Sequence, residues 1–255
     1  MHPLLCQVEH RPFPLPRRPW VMMMRWHDLL FAHWALEPDS VRAAMPHPLR
    51  HKLEVHQGKA WVGVVPFWMS DVRLRATPAM PKLSTFPELN VRTYVRVNGR
   101  AGIYFFSLDT TRWAAVLGAR WIYNLRYFHA RIRIRRGKEW HWYSSERRQP
   151  PRPAVFRGRY RALEGESFLA REHELENFLV ERYCLYAVRR GQILRGDIHH
   201  TPWELRTAEA EIWENNVAQS QGLELPANPP LLHYASQVDA LAWWPEQITR
   251  AAPRA

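Results

Sequence analysis

Phe86-Pro-Glu-Leu-Asn-Val-Arg-Thr-Tyr94 is the segment whose residue types and spacing best suit chemistry. Read as a strand, it puts Glu88, Asn90, Arg92 and Tyr94 on one face and Leu89, Val91, Thr93 and Val95 on the other. A carboxyl, an amide, a guanidinium and a phenol in a row, backed by an apolar face, fit the lining of a polar cavity. Parity equally allows a solvent-facing row with a Glu88–Arg92 pair. The segment runs through Asn98-Gly99, a pair that favours a two-residue type I′ turn, into Ala101 to Leu108. Across that hairpin, either Tyr104 and Phe106 or Phe105 and Ser107 join the polar face.

Two other places invite a chemical reading. In Ile198-His-His-Thr-Pro-Trp203, a strand sends His199 and His200 to opposite faces, so they do not chelate one ion together. One packs inside and the other closes the strand before Pro202, and neither a metal nor a cofactor is expected. Cys184, between bulky Tyr183, Leu185 and Tyr186, reads as a buried, inert thiol. No glycine-rich dinucleotide or phosphate loop, serine nucleophile elbow or zinc-protease motif is present.

The elements that must carry these residues are mostly strands. Arg25 to Leu36, Ala60 to Met69, Asp71 to Ala76, Leu89 to Val97, Ala101 to Leu108, 130–136, 139–145, 182–188, 192–199, 203–212 and 231–244 have the apolar runs or period-two alternation of strands. Short helices are expected at Glu37 to Met45, from about Thr110 to Tyr123 behind Asp109, at about Glu172 to Val180, and at about 213–221 before Gly222. The pattern is α+β, dominated by antiparallel strands, with residues 1–20 extended over one domain at 21–255.

Composition narrows the classes. With 46% hydrophobic residues among 255, the chain can bury a core and is not disordered. Two cysteines exclude a disulfide scaffold. No apolar run approaches a membrane span and the N-terminal residues do not read as a signal peptide, so a cytoplasmic protein without membrane partners is expected. The net charge of +12 is concentrated at 111–161, which alone carries +12, whereas 162–255 carries −6. Arg131, Arg133 and Arg135 share one strand face, and Arg157, Arg159 and Arg161 alternate again. Such a face binds polyanions, or is solvated, or is neutralised by Glu164, Glu166, Glu172, Glu174 and Glu176. No nucleic-acid motif accompanies it, so specific nucleic-acid binding is not expected.

The segments Arg25–Trp34, Ala60–Phe67, Phe86–Tyr94, Gly102–Asp109, Glu181–Tyr186 and Ile198–Trp203 together resemble the YqjF-like family of unknown function, from about residue 20 to 247. That family in turn resembles acetoacetate decarboxylase, which implies a closed or cone-like barrel around a polar pocket, with a few short peripheral helices. The resemblance places Glu88 where that enzyme has a pocket glutamate. It also makes Gly118–Tyr127 similar to the stretch ending in the enzyme's catalytic lysine pair. Here that stretch reads Leu125, Arg126, Tyr127 and Phe128, and Lys82 is out of order. A Schiff base needs a neutral amine, which an always-protonated arginine cannot supply. The combined expectation is a pocket for a small anionic, carboxylate-type molecule without Schiff-base decarboxylation. Glu88 serves there as acid/base or acceptor, Arg92 and Arg120 as bidentate donors, and Asn90, Tyr94, Tyr104 and His200 as orienting groups. The alternative is a polyanion-binding or assembly module built on the 131–161 arginines. The sequence leaves homo-oligomerisation open.

Overall fold

The computed structural model describes residues 2–80, 84–112, 124–148 and 153–248. Its strands are β1 (Met22–Leu36), β2 (Ala60–Leu74), β3 (Phe86–Val97), β4 (Arg100–Thr110), β5 (Tyr127–His129), β6 (Arg131–Arg136) and β7 (His141–Arg147). They continue with β8 (Ala154–Ala162), β9 (Phe168–Leu169), β10 (Cys184–Arg189), β11 (Gln192–His200), β12 (Glu204–Asn215), β13 (Leu231–Ala242) and β14 (Glu246–Gln247). Among the described residues, three short α-helices, α1 (Pro38–Ala44), α2 (His47–Arg50) and α3 (Leu175–Val180), lie between them.

The strands form one continuous sheet. Seven of them, in the order β11-β10-β4-β3-β2-β1-β13, close into a ring where Ile198 and His200 pair with Ala242 and Ala240. The expected antiparallel ring is in fact mixed, because β10 enters beside β4 in parallel. Gly102 permits that approach: a Cβ there would lie 2.6 Å from the Cys184 carbonyl oxygen. The hairpin turn at Asn98-Gly99 has both residues at positive φ, 49° and 80°, as the type I′ geometry requires.

From β13 the sheet continues through β12, β8, β7 and β6, and these strands cover the outer side of the ring. Leu30, Val62, Val64 and Val91 from the ring share a buried cluster with Tyr143, Phe156 and Tyr160 from the cover. This explains the near-continuous apolar runs of β1 and β2: both faces are buried, one inside the ring and one beneath the cover. Two phenols tie the layers. Tyr143 donates to the Glu88 carbonyl at 2.8 Å, and Tyr160 donates to the Asp28 carbonyl at 2.7 Å.

Asp28 marks an irregularity with a cause. Pro66 has no N–H, and it sits in the middle of a central strand, where a ladder bond would be lost. Pairing between β1 and β2 lapses between His27 and Ala32, opposite Val65-Pro66-Phe67. There Asp28 takes φ 51°. Its carboxylate accepts from the Tyr234 hydroxyl at 2.7 Å and from the Trp68 indole at 2.8 Å.

Several element expectations need correction. The expected strand at 71–76 is the end of β2. The expected helix at 213–221 is not formed: β12 runs on to Asn215, where Glu214 and Asn215 extend the ladder with β8, and 216–218 are coil and turn. Only Gln219–Gln221 turn helically, ending at Gly222 with φ 82°. Of the expected helix from Thr110 to Tyr123, Thr110 closes β4 and 113–123 lie outside the described residues.

The N-terminal residues are anchored on the ring. The His199 ring shares a hydrogen bond with the Leu4 carbonyl at 2.8 Å, Arg11 donates to the Ile198 carbonyl at 2.9 Å, and Trp243 donates to the Arg18 carbonyl at 2.8 Å. Among the described residues no helix is long and apolar enough to cross a membrane.

The basic segment becomes β6, β7 and β8. Arg131, Arg133 and Arg135 face outward. Arg159 and Arg161 are paired with Glu211 and Glu209 on β12, and Arg157 with Glu214. The neutralising carboxylates are therefore those of the neighbouring strand and not Glu164, Glu166, Glu172, Glu174 and Glu176. Trp140 lies under both Arg159 and Arg161, at 4.3 and 4.6 Å.

Candidate functional site

The ring encloses a cavity of about 520 Å³, and every ring strand contributes to its wall. From β3 come Phe86, Glu88, Asn90 and Arg92, at the period of two that the sequence shows. From β1 come Met22, Met24 and Trp26, and from β2 Val65, Phe67 and Met69. Cys184, His200 and Ala242 represent β10, β11 and β13.

The β4 contribution depends on a bulge. Val91 pairs with Ser107 but Arg92 pairs with Phe105, so one extra residue, Phe106, is accommodated there. Ile103 and Phe105 face the cavity by the register that the Asn98-Gly99 turn sets, and the bulge adds Leu108 to the same face. Tyr104 lies on the opposite face, in the outer core beside Phe106. The expectation that Tyr104 orients a ligand beside Glu88 is therefore corrected, because side chains alternate along β4 until the bulge.

Glu88 is 3% exposed. Burial raises its pKa to about 7 against the opposing pull of hydrogen bonds from Tyr127 and Asn90, with the neighbouring Asp109 adding to the rise. The Tyr127 hydroxyl donates to Glu88 Oε2 at 2.8 Å. Near neutrality this group has both protonation states accessible, the condition for either acid/base work or hydrogen-bond donation.

Arg92 is 6% exposed and forms no ion pair among the described residues. One guanidinium nitrogen donates to the Leu179 carbonyl at 3.1 Å, and Nε has no partner. The guanidinium lies over Phe31 at 5.1 Å. Arg182, also on the cavity wall, is by contrast paired with Glu54 at 2.6 Å. Tyr94 shares the β3 face but does not line the cavity. It backs both arginines, whose guanidiniums lie 5.8 and 5.2 Å from its ring, and its hydroxyl bonds His33 at 2.7 Å.

His200 lines the cavity with both ring nitrogens near carbonyls, Thr201 at 2.6 Å and Arg182 at 3.4 Å. Burial lowers its pKa to about 4, so it is neutral at pH 7. It packs 5.1 Å from Trp203, which stacks on Trp26 at 5.8 Å. His199 points away toward the N-terminal segment, as strand alternation requires. Burial pushes the Cys184 thiol up to about 11, so it is not a nucleophile at neutral pH. Arg120 lies outside the described residues.

Sequence reasoning missed Tyr127 and Arg182 as cavity residues. The Leu125-Arg126-Tyr127 stretch, which resembles a lysine-bearing segment, does reach the cavity and delivers Leu125 and Tyr127 to it. Arg182 precedes β10, and the parity that puts it on one face with Cys184 was the signal available for it. Among the described residues no group of three or more His, Cys, Asp and Glu side chains is placed to hold a metal ion.

Comparison with known proteins matches this geometry to a family and a fold. Residues 23–239 match the DUF2071 family, described as an uncharacterized conserved protein. The uncharacterized protein YqjF of Bacillus subtilis is 40% identical over 237 residues, covering 93% of this chain and 96% of that protein. Acetoacetate decarboxylase of Legionella pneumophila superposes with a TM-score of 0.62 at 12% identity, covering 96% of this chain and 95% of the other. The enduracididine biosynthesis enzyme MppR, complexed with pyruvate, superposes with a TM-score of 0.61 at 9% identity, covering 93% of each chain. The chain belongs to the DUF2071 family and has the acetoacetate-decarboxylase-like fold.

Proposed function

We propose that the seven-strand ring serves as a closed, cone-like barrel that binds a small carboxylate-type anion, with Arg92 as its anchor. The observation that carries this reading is the Arg92 guanidinium, buried on the cavity wall with no carboxylate partner among the described residues and an unpaired Nε. A buried cation costs free energy unless it is paired, and a ligand carboxylate supplies the missing partner with two-pronged geometry. Asn90, also with an unpaired oxygen, and neutral His200 orient the bound molecule. Glu88 is the acid/base or hydrogen-bonding group.

The likeness to acetoacetate decarboxylase does not bring its chemistry. Among the described residues on the cavity wall none is lysine, and Lys82 lies outside the described residues. A reaction at this site, if one occurs, proceeds without a lysine Schiff base. MppR, also of this fold, has been captured with pyruvate, which is in keeping with a carboxylate in the ring of this chain.

The test is a thermal-shift panel of carboxylic and keto acids against the wild type and Arg92→Gln, at low and high salt. A ligand at a hundred times its Kd stabilises by about 2.7 kcal/mol. The reading expects a shift that survives salt and vanishes in Arg92→Gln. Shifts of equal size in both proteins would reject it.

A further inference from the structure

We infer that the ligand is an amphipathic acid with an extended apolar body, and not a compact keto acid. The inference rests on the anion-binding reading above and adds the class of molecule.

The register of β3 against β2 orders the cavity along its length. Arg92 lies opposite Gly63, Asn90 opposite Val65, Glu88 opposite Phe67, and Phe86 opposite Met69. Beyond Met69 the wall continues to Leu74, which pairs with Met22. Arg92 and Phe86 are thus separated by roughly 20 Å of strand. The Arg92 end is polar, with Arg182 close by. The other end is built from Met22, Met24, Met69 and Val72, with Leu74 the most exposed of them at 54%. Methionine side chains adapt to flexible apolar shapes, and three of them line this end.

A compact acid held at Arg92 would leave that apolar length filled with water. A chain or fused-ring body running from Arg92 past Glu88 to the methionines would displace it. Arg73, on the wall at the far end, donates to Met23 Sδ at 3.0 Å and is the rival anchor for the same acid in reversed orientation.

The experiment is calorimetric titration of the full chain with straight-chain acids from butanoate to dodecanoate, each beside its primary alcohol. The inference expects Kd to fall roughly fourfold per added methylene until the cavity is filled. Met69→Trp, which shortens the apolar end, should bring that plateau to a shorter chain. Acids that outbind alcohols without any dependence on chain length would overturn the inference and leave the anion reading standing. Alcohols equal to acids at every length would overturn the anion reading instead. Loss of the acid preference in Arg73→Gln, with Arg92→Gln unaffected, would reverse the ligand and overturn the arrangement. Absence of binding by every acid would overturn both.

Discussion

Glu88 and Arg92 stand four residues apart on the inner face of one strand and do not pair with each other. Asn90 separates them, and each has a different partner: Glu88 takes the Tyr127 hydroxyl and Arg92 the Leu179 carbonyl. A surface Glu–Arg pair, which parity alone would allow, is excluded by their burial. Two buried groups of opposite type, held apart along one cavity, are arranged to meet something between them.

The first prediction concerns pH. The folded pKa of Glu88 is raised from 4.5 to about 7, so between those values the folded state binds more protons than the unfolded state. Stability from this group is therefore full below about pH 4.5 and is lost as pH rises toward 7, by roughly 3 kcal/mol. His199 and His200, lowered to about 4, act oppositely: they gain stability as pH rises from 4 to 6.5. The difference between wild type and Glu88→Gln isolates the carboxyl. Urea titrations across pH 4–8 should show Glu88→Gln gaining on the wild type as pH rises, and a pH-independent difference would contradict the raised pKa.

A contrast between ion pairs gives the second prediction. Arg147 and Asp109 are both fully buried and 3.3 Å apart. Arg147→Met leaves Asp109 buried without its partner and should cost about 3–5 kcal/mol, much of it recovered by adding Asp109→Leu. On the exposed β8–β12 ladder, Glu211→Ala should leave the urea midpoint nearly unchanged. Similar losses at both places would contradict the burial argument.

The Asp28 bulge supports a third. Asp28→Ala removes the acceptor of two hydrogen bonds and puts a less tolerant residue at positive φ, so a loss of about 2–4 kcal/mol is expected in denaturant unfolding. Asp28→Asn keeps one acceptor and the tolerated φ, and should cost about half as much.

Thiol chemistry provides the fourth. Cys6 is exposed and Cys184 is buried. A thiol-specific chromophore should titrate Cys6 in the native chain and reach Cys184 only on unfolding. Rapid native labelling of Cys184 would mean that the cavity opens widely.

The β3 face and the Asn98-Gly99 turn were legible because both follow from local rules, alternation of side chains and the need for positive φ. The bulge at Phe106 was not: it is set by β3–β4 pairing, and it put Leu108 in place of Ser107 on the cavity wall. The strand at the end of β12 was hidden for a similar reason. Glu214 and Asn215 read as the start of a helix in isolation and become strand only through their ladder with Arg157 and Phe156. Tyr127 reaches the cavity from a segment whose direction only the closed ring fixes.

The proposed role of Arg92 is to anchor an anion inside the ring. Its most direct test is the affinity ratio between octanoate and octanamide, measured by calorimetry for the wild type and Arg92→Gln. The wild type should prefer the acid by about tenfold or more, and Arg92→Gln should abolish the preference while still binding the amide. Equal affinity for acid and amide in the wild type would contradict it.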